Sequence, residues 1–158
     1  MRLTSFSDYT LRVLIYLTLN QGRLATIQSI ADSYGISENH LMKVVHHLSK
    51  TGVIESVRGK GGGIRLARPA DSIHIGAIIR SAEGDPPIVE CLSSENQCRI
   101  TRSCGLAGIL IGAFENLYVY LDRYTLADLV AQPVPLMKQL SIRPPAQPLV
   151  RTPPKKLS

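Results

Sequence analysis

Three cysteines, Cys91, Cys98 and Cys104, are the only ones in this 158-residue chain, and they crowd into one polar stretch, ECLSSENQCRITRSC. Six residues separate the first pair and five the second. Cysteine used as a small core hydrophobe would be scattered through helices and strands. Here it shares a loop with Glu90, Glu95, Arg99 and Arg102. Guanidinium groups favour the thiolate, the form that binds metal or reacts. An odd number of cysteines, in a chain whose start lacks the pattern of an export signal, argues against a disulfide framework and for metal or redox chemistry. Three thiolates are one donor short of a closed tetrahedral set. The missing fourth ligand is the central question.

The other reactive residue types narrow the options. A nucleophilic cysteine needs a histidine base within reach. His40, His46 and His47 are expected on a polar helix face, and His74 on a packed helix. The chain is therefore not read as an enzyme. His46 and His47 are adjacent, which on a helix points them about 100° apart, so they do not share a metal. The glycine-rich run RGKGGG lacks the following Lys-Ser/Thr and helix of a nucleotide phosphate loop.

Bulk properties agree with a nucleic-acid partner. The formal net charge is +6 and the pI about 9.5, which suits a polyanion. Apolar residues make up 44 % of the chain, enough for a core without disulfide staples. No apolar run approaches the roughly 18 residues of a membrane span, and a cytoplasmic location is expected.

These candidates need elements to position them. Residues 5–20 read as a helix capped by Ser5 or Ser7, with Tyr9, Val13, Leu14 and Leu17 on its apolar face and Asp8 in its first turn. An acid there complements the helix dipole. Residues 26–34 form a second helix behind Thr26, and Gly35 stops it. Ser37 then caps a third helix, ENHLMKVVHHLSK, with Leu41, Val44, Val45 and Leu48 turned inward. Two helices joined by a short glycine turn make a helix-turn-helix. The outer face of the third helix carries Asn39, His40, Lys43, His46, His47 and Lys50, a polar set suited to base edges and phosphates. A solvated face is the plainer alternative.

Strands over 53–57 and 63–67 flank a glycine-rich tip, and after a helix-turn-helix this reads as the wing of a winged helix. Arg58, Lys60, Arg65 and Arg68 meet no acid between residues 56 and 68, and glycines at the tip let backbone approach a phosphate or a narrow groove. Gln28, Ser37, Asn39, His40, Lys43, His47, Arg58, Lys60, Gly61 and Gly62 are the candidate DNA contacts. A winged helix used only to bind protein would not need an acid-free basic wing.

Residues 72–82 suggest a further helix that buries Ile75, Ile78, Ile79 and Ala82, followed by a hinge-like turn at Gly84-Asp85-Pro86-Pro87. Residues 101–124 read as one long helix of about 35 Å. Its stripe of Ala107, Leu110, Phe114, Leu117, Leu121 and Tyr124, widened by Ile109, Ala113 and Tyr120, exceeds what a small core needs and points to a homodimer. Thr125 and Asp128 form a capping pair for a short helix. The expected fold is mainly α with a small β-hairpin wing. Its parts are a winged helix-turn-helix over 1–84, a cysteine loop over 85–104, a dimerisation helix and short helix over 105–140, and a disordered proline-rich tail over 141–158.

The segments MRLTSFSDYTLR, IADSYGISENHLMKVVHHL and VRGKGGGIRLAR, followed by three cysteines before a long helix, together resemble the iron–sulfur winged-helix transcriptional repressors. The likeness spans essentially residues 1–130 and is nearest to the nitric-oxide-responsive members. It implies a homodimer on a double-stranded DNA operator, with an iron–sulfur cluster as cofactor, 4Fe–4S in the first instance and 2Fe–2S as the alternative, and nitric oxide as effector. In another branch, a histidine three positions after the third cysteine completes the ligand set; here that position is Ala107. The nitric-oxide-responsive members can use an aspartate of the partner subunit's first helix, and Asp8 stands at that place. The implied ligands are Cys91, Cys98, Cys104 and Asp8 of the partner subunit. The first cysteine gap is longer here than the four or five residues of the relatives. A thiol-redox switch, a zinc site, or sensing of iron or cluster biogenesis are the competing uses of the cysteines.

Overall fold

Thr4, not Ser5 or Ser7, opens the first helix, in a computed structural model that describes residues 2–84 and 89–143. Its hydroxyl accepts the Ser7 N–H at 3.2 Å, which leaves Ser5 and Ser7 inside α1 (Ser5–Leu19) and turns Ser7 into the core. The expectation of a Ser5 or Ser7 cap is corrected accordingly. A second partner comes from far along the chain: Glu83 Oε1 accepts the Thr4 N–H at 2.8 Å and its hydroxyl at 3.0 Å. Desolvation pushes the Glu83 carboxyl up, but hydrogen bonds from Ser7 and from the Thr4 hydroxyl and N–H outweigh it and hold it below its ordinary range. A lowered carboxyl stabilises the fold above its unfolded pKa and loses that contribution as pH falls through the folded value. Glu83→Ala is expected to cost about 1 kcal/mol, as for loss of a helix cap. In urea melts, the gap between wild type and variant should be full at neutral pH and close on acidification.

The second helix, α2 (Ile27–Tyr34), has a reciprocal cap: Thr26 accepts the Ser29 N–H at 3.0 Å, and Ser29 accepts the Thr26 N–H at 3.2 Å. Gly35 ends it at φ +63°, a conformation that costs glycine little, and Ile36 N–H closes the turn on the Ala31 carbonyl. Then come α3 (Glu38–Lys50) and the antiparallel strands β1 (Ile54–Val57) and β2 (Gly63–Leu66), registered as Ile54 with Leu66 and Val57 with Gly63. Ala25 bridges to Ile64, adding a third short segment at the foot of the hairpin. Leu14, Ile30, Leu41, Leu48, Ile73 and Leu126 are the largest fully buried apolar side chains, and they draw the helices around the hairpin's foot into one core.

The expected helix over 72–82 is corrected. A 3-10 turn occupies Ala70–Ser72, and α4 (Ile75–Glu83) begins only after His74, which stands exposed at its N-cap rather than on a packed face. Ile75, Ile78 and Ile79 are buried as expected, and Ala82 is half-buried. Of the hinge-like turn, Asp85, Pro86 and Pro87 lie outside the described residues, as does the tail from residue 144.

The long helix is also shorter than expected. Hydrogen bonds from Thr101 Oγ1 to the Cys98 carbonyl (2.9 Å) and from Ser103 N to the Ile100 carbonyl (3.0 Å) commit residues 98–103 to turns. The helix α5 (Leu106–Leu121) begins past Gly105 and spans 16 residues, about 24 Å rather than 35 Å. Tyr124 lies beyond its end, exposed. Two short helices, α6 (Leu126–Leu129) and α7 (Pro133–Gln139), return to α1, where Leu126, Met137 and Ile142 enter the core.

The head meets α5 at a tight joint. Ile75 N–H donates to the Tyr124 carbonyl (3.0 Å), Leu126 N–H to the Ile73 carbonyl (2.8 Å) and Ala77 N–H to Asp122 Oδ1 (2.8 Å). His74 Nδ1 donates to the Asp122 carbonyl at 2.8 Å, and the Arg80 guanidinium lies 4.2 Å over the Tyr118 ring.

Candidate nucleic-acid interface and cysteine loop

The inward stripe Leu41, Val44, Val45 and Leu48 fixes the rotation of α3, so Asn39, His40, Lys43, His46 and Lys50 face solvent. Gln28 on α2 and Ser37 ahead of α3 are exposed beside them. Ser37 occupies the N-cap position, but its hydroxyl caps no helix N–H; it pairs with His40 Nδ1 at 3.1 Å. His40 also lies against the Tyr9 ring, 5.9 Å between centroids. His47 differs from the rest: half-buried, it meets Phe6 edge-on at 5.5 Å and its Nε2 pairs with Ser81 Oγ at 3.0 Å. Both imidazoles therefore tie α3 to the first half of α1.

At the wing tip, Gly62 N–H bonds the Gly59 carbonyl at 2.9 Å, which closes a turn with Lys60 at its apex and Gly61 at φ +79°. A Cβ on Gly62 would lie 2.3 Å from the Val57 carbonyl oxygen, so the hairpin itself requires glycine there, whatever approaches from outside. The expected run of free basic residues needs one amendment. Glu55 lies outside the acid-free stretch in sequence but opposite Arg65 in register, and the two form an ion pair. Arg58, Lys60 and Arg68 are exposed, with no carboxylate partner among the described residues.

The cysteine loop is a chain of turns. A 3-10 turn spans Glu90–Leu92, Glu90 Oε1 accepts the Gln97 N–H (3.0 Å), and Asn96 Oδ1 accepts the Cys98 N–H (2.9 Å). All three thiols are free and half-buried. Among the described residues, no three His, Cys, Asp or Glu side chains are grouped as an ion would require. The donor set fits a thiolate-bound metal group by its chemistry, three unpaired thiols on one loop with Arg99 and Arg102 exposed beside them, but the loop must close to gather them.

Asp8 lies in the first turn of α1, half-exposed, with Arg12 one turn on: Nη2–Oδ2 is 2.9 Å and Nε–Oδ1 3.2 Å, a two-pronged pair. Arg12 also spans the rings of Tyr9 (5.9 Å) and Tyr34 (5.8 Å). Burial pushes the Tyr34 hydroxyl up to about 12 against the opposing charge of Arg12, so it stays protonated. The i, i+4 spacing of Asp8 and Arg12 is the sequence signal for this pair. The Glu83 cap could not have been read, because 79 residues separate it from Thr4.

The helix α5 is strongly apolar, yet none of its residues is buried. Ile109 is 70 % exposed, Val119 56 % and Tyr120 52 %. No helix among the described residues is long and apolar enough to cross a membrane.

Comparison with known proteins agrees with this architecture. Residues 3–132 match the model of the Rrf2 family, described as iron-dependent transcriptional regulators. The HTH-type transcriptional regulator NsrR of Bacillus subtilis (strain 168) is 45 % identical over 145 residues, which covers 90 % of this chain and 99 % of that protein. Among solved structures, CymR (YrzC), the global cysteine regulator of B. subtilis, superposes with TM-score 0.65 at 28 % identity, covering 83 % of this chain and 97 % of that one. IscR of T. potens gives TM-score 0.64 at 27 % identity, covering 83 % and 87 %. These relatives are regulators rather than enzymes, and the fold is the winged helix read from the sequence. The chain belongs to the Rrf2 family of transcriptional regulators.

Proposed function

We propose that this chain is a homodimeric, DNA-binding repressor. In this reading Cys91, Cys98 and Cys104 hold an iron–sulfur cluster, of the 4Fe–4S type, with Asp8 of the partner subunit, and nitric oxide relieves repression. The observation that carries the reading is the confinement of three free thiols to the loop between the winged-helix head and an apolar helix with no buried residue. Residues 1–84 then read DNA, 85–104 carry the cluster and α5 pairs with its copy; the expectation of a tail from residue 141 is corrected, because Ile142 is buried in the core.

Cys91, Cys98 and Cys104 would each hold one iron of such a cluster through a soft thiolate, and Asp8 of the partner subunit would hold the fourth through a hard, exchangeable carboxylate, which would make that iron an entry point for nitric oxide. The chain's own residues supply the connection to DNA. Asp8 is on the same turn of α1 as Phe6 and Tyr9, whose rings meet His47 and His40 of α3. Whatever holds or releases Asp8 therefore acts on the helix whose two copies must sit about 34 Å apart to enter successive major grooves. Arg12 holds the Asp8 carboxylate within its own subunit, so a ligand set that includes Asp8 shares or displaces that pair.

Two measurements test the halves of the reading. Protein isolated without oxygen should be brown and hold iron and sulfide in equal amounts; colourless protein with one zinc per chain rejects the cluster. For DNA contact, the candidates are Gln28, Ser37, Asn39, His40, Lys43 and His47 on or beside α3, and Arg58, Lys60, Gly61 and Gly62 in the wing. Lys60→Ala should weaken binding on all sequences and flatten the dependence of log K on log salt by about 0.9 per lost phosphate contact. Unchanged binding at every salt concentration rejects the wing contact. The free thiols beside Arg99 and Arg102 favour a thiol-redox switch as the second reading, which iron-free protein responding to oxidant would establish.

A further inference from the structure

The one large apolar side chain that α3 leaves in solvent is Met42, which is 50 % exposed. A single exposed apolar residue is ordinary in a folded protein and asks for no partner by itself. The place of this one is what matters. The helix advances about 100° per residue, so Leu41, Val44, Val45 and Leu48 mark its buried side and the other residues divide into sectors. His40 and His47 lie on the flank that meets Tyr9 and Phe6 of α1. Asn39, Lys43, His46 and Lys50 form the outward stripe. Met42 lies on the opposite flank, about 160° round the helix from His40 and about 140° from His47.

Its neighbours on that flank define what it can meet. Glu38 is one turn earlier, at i, i+4 spacing, exposed and without an ion-pair partner among the described residues. A carboxylate repels phosphate, so this flank does not lie along a DNA backbone strand. Lys43 and Lys50, turned about 80–100° away, suit that role. Met42 also sits in the second turn of α3, in the N-terminal half from which a helix of this kind reaches base edges. Its side chain has no N–H or O–H to donate, and its sulfur accepts only weakly. Base edges in the major groove offer one apolar group, the C5-methyl of thymine, and those in the minor groove offer none. An unbranched, polarisable methionine adapts readily to such a surface.

We propose that Met42 is a specificity-determining residue, which selects a thymine in each half-site of the operator by packing against its C5-methyl group. The proposal rests on the reading that α3 lies in the major groove, and it adds an apolar contact to a set otherwise made of hydrogen-bonding and charged groups.

The experiment uses full-length protein, isolated without oxygen, and a duplex that the wild type selects from a random pool. Each thymine is replaced in turn by deoxyuridine, which removes the methyl group and keeps the base pair. One thymine per half-site should prove sensitive: wild type should bind about fourfold less tightly without its methyl, and about fifteenfold less tightly with both half-sites changed. Met42→Ala should bind the thymine duplex about as weakly as wild type binds the deoxyuridine one, with no further loss on deoxyuridine, and Met42→Leu should keep the sensitivity. Met42 lies outside the core, so neither substitution should move the urea midpoint. The salt dependence should stay the same throughout, since no phosphate contact is changed. Wild type indifferent to deoxyuridine at every position overturns this proposal alone, and so does a sensitive position that stays equally sensitive in Met42→Ala. Loss of affinity in Met42→Ala far beyond that of the methyl groups also overturns it, since the residue would then hold the helix in place rather than read a base. Wild type that selects no duplex from the pool overturns the DNA-contact reading together with it.

Discussion

Cys98→Ser protein, isolated without oxygen, is expected to fold as wild type does and to lose its iron. Serine keeps the size of the side chain, and the local bonds at this position are made by the backbone: its N–H to Asn96 and its carbonyl to Thr101. Cys98 lies outside the apolar core, so urea stability should shift by no more than about 0.5 kcal/mol. The hydroxyl stays protonated at neutral pH and is a poor substitute for a thiolate. Loss of a group that merely orients a ligand costs about 10- to 100-fold in metal affinity, so loss of a ligand should cost at least 100-fold. The variant should therefore be colourless, and nitric oxide should no longer change its DNA binding. Wild-type iron and sulfide in Cys98→Ser would remove this residue from the ligand set; equally iron-free wild type would leave the thiol-redox reading standing.

Gly76→Ala should be among the most damaging one-carbon changes in the chain. A Cβ at position 76 would lie 2.5 Å from the Tyr118 carbonyl oxygen and 2.5 Å from Asp122 Oδ1. The aspartate can swing away only by giving up its bond to Ala77 N–H, and the carbonyl moves only with α5. Alanine gains about 1 kcal/mol over glycine in helix propensity. Overpacking of a close helix contact costs about 1–3 kcal/mol, and rigid backbone on one side puts the cost at the upper end. The clash wins, for a net loss of roughly 1–2 kcal/mol in urea melts. A midpoint equal to wild type would mean that the joint yields freely. The joint also sets the angle between head and α5, so operator affinity should fall with stability.

Much of this was legible because short-range patterns decide it. The stripe of Leu41, Val44, Val45 and Leu48, the Thr26 cap, the Gly35 stop and the wing follow from spacing and from turn chemistry, and the structure has them where they were read. Local pattern failed where tertiary partners decide. Thr4 outcompetes Ser5 and Ser7 as cap because Glu83 arrives from the end of α4. The long helix loses its first turn because Thr101 and Asn96 turn the loop back on itself before Gly105. The Arg65–Glu55 pair depends on strand register, which a count of charges does not see.

At the candidate site, the sequence supplied the residue types and their order along the chain. It could not supply the ties of His40 to Tyr9 and of His47 to Phe6 and Ser81, because helix periodicity places both histidines on a polar face and says nothing of the neighbouring helix. Those ties change the meaning of the set: two of its members hold α3 in position as well as lying beside the expected DNA surface.

In the proposed function, the state of the cysteine loop controls DNA binding. The direct measurement is a nitric oxide titration of the anaerobic protein on fluorescent operator DNA, with visible absorbance and anisotropy followed in one cuvette. Absorbance and bound DNA should change together, and Cys98→Ser should show neither change. Full DNA occupancy after the absorbance has gone, or release from protein that never held iron, would contradict it.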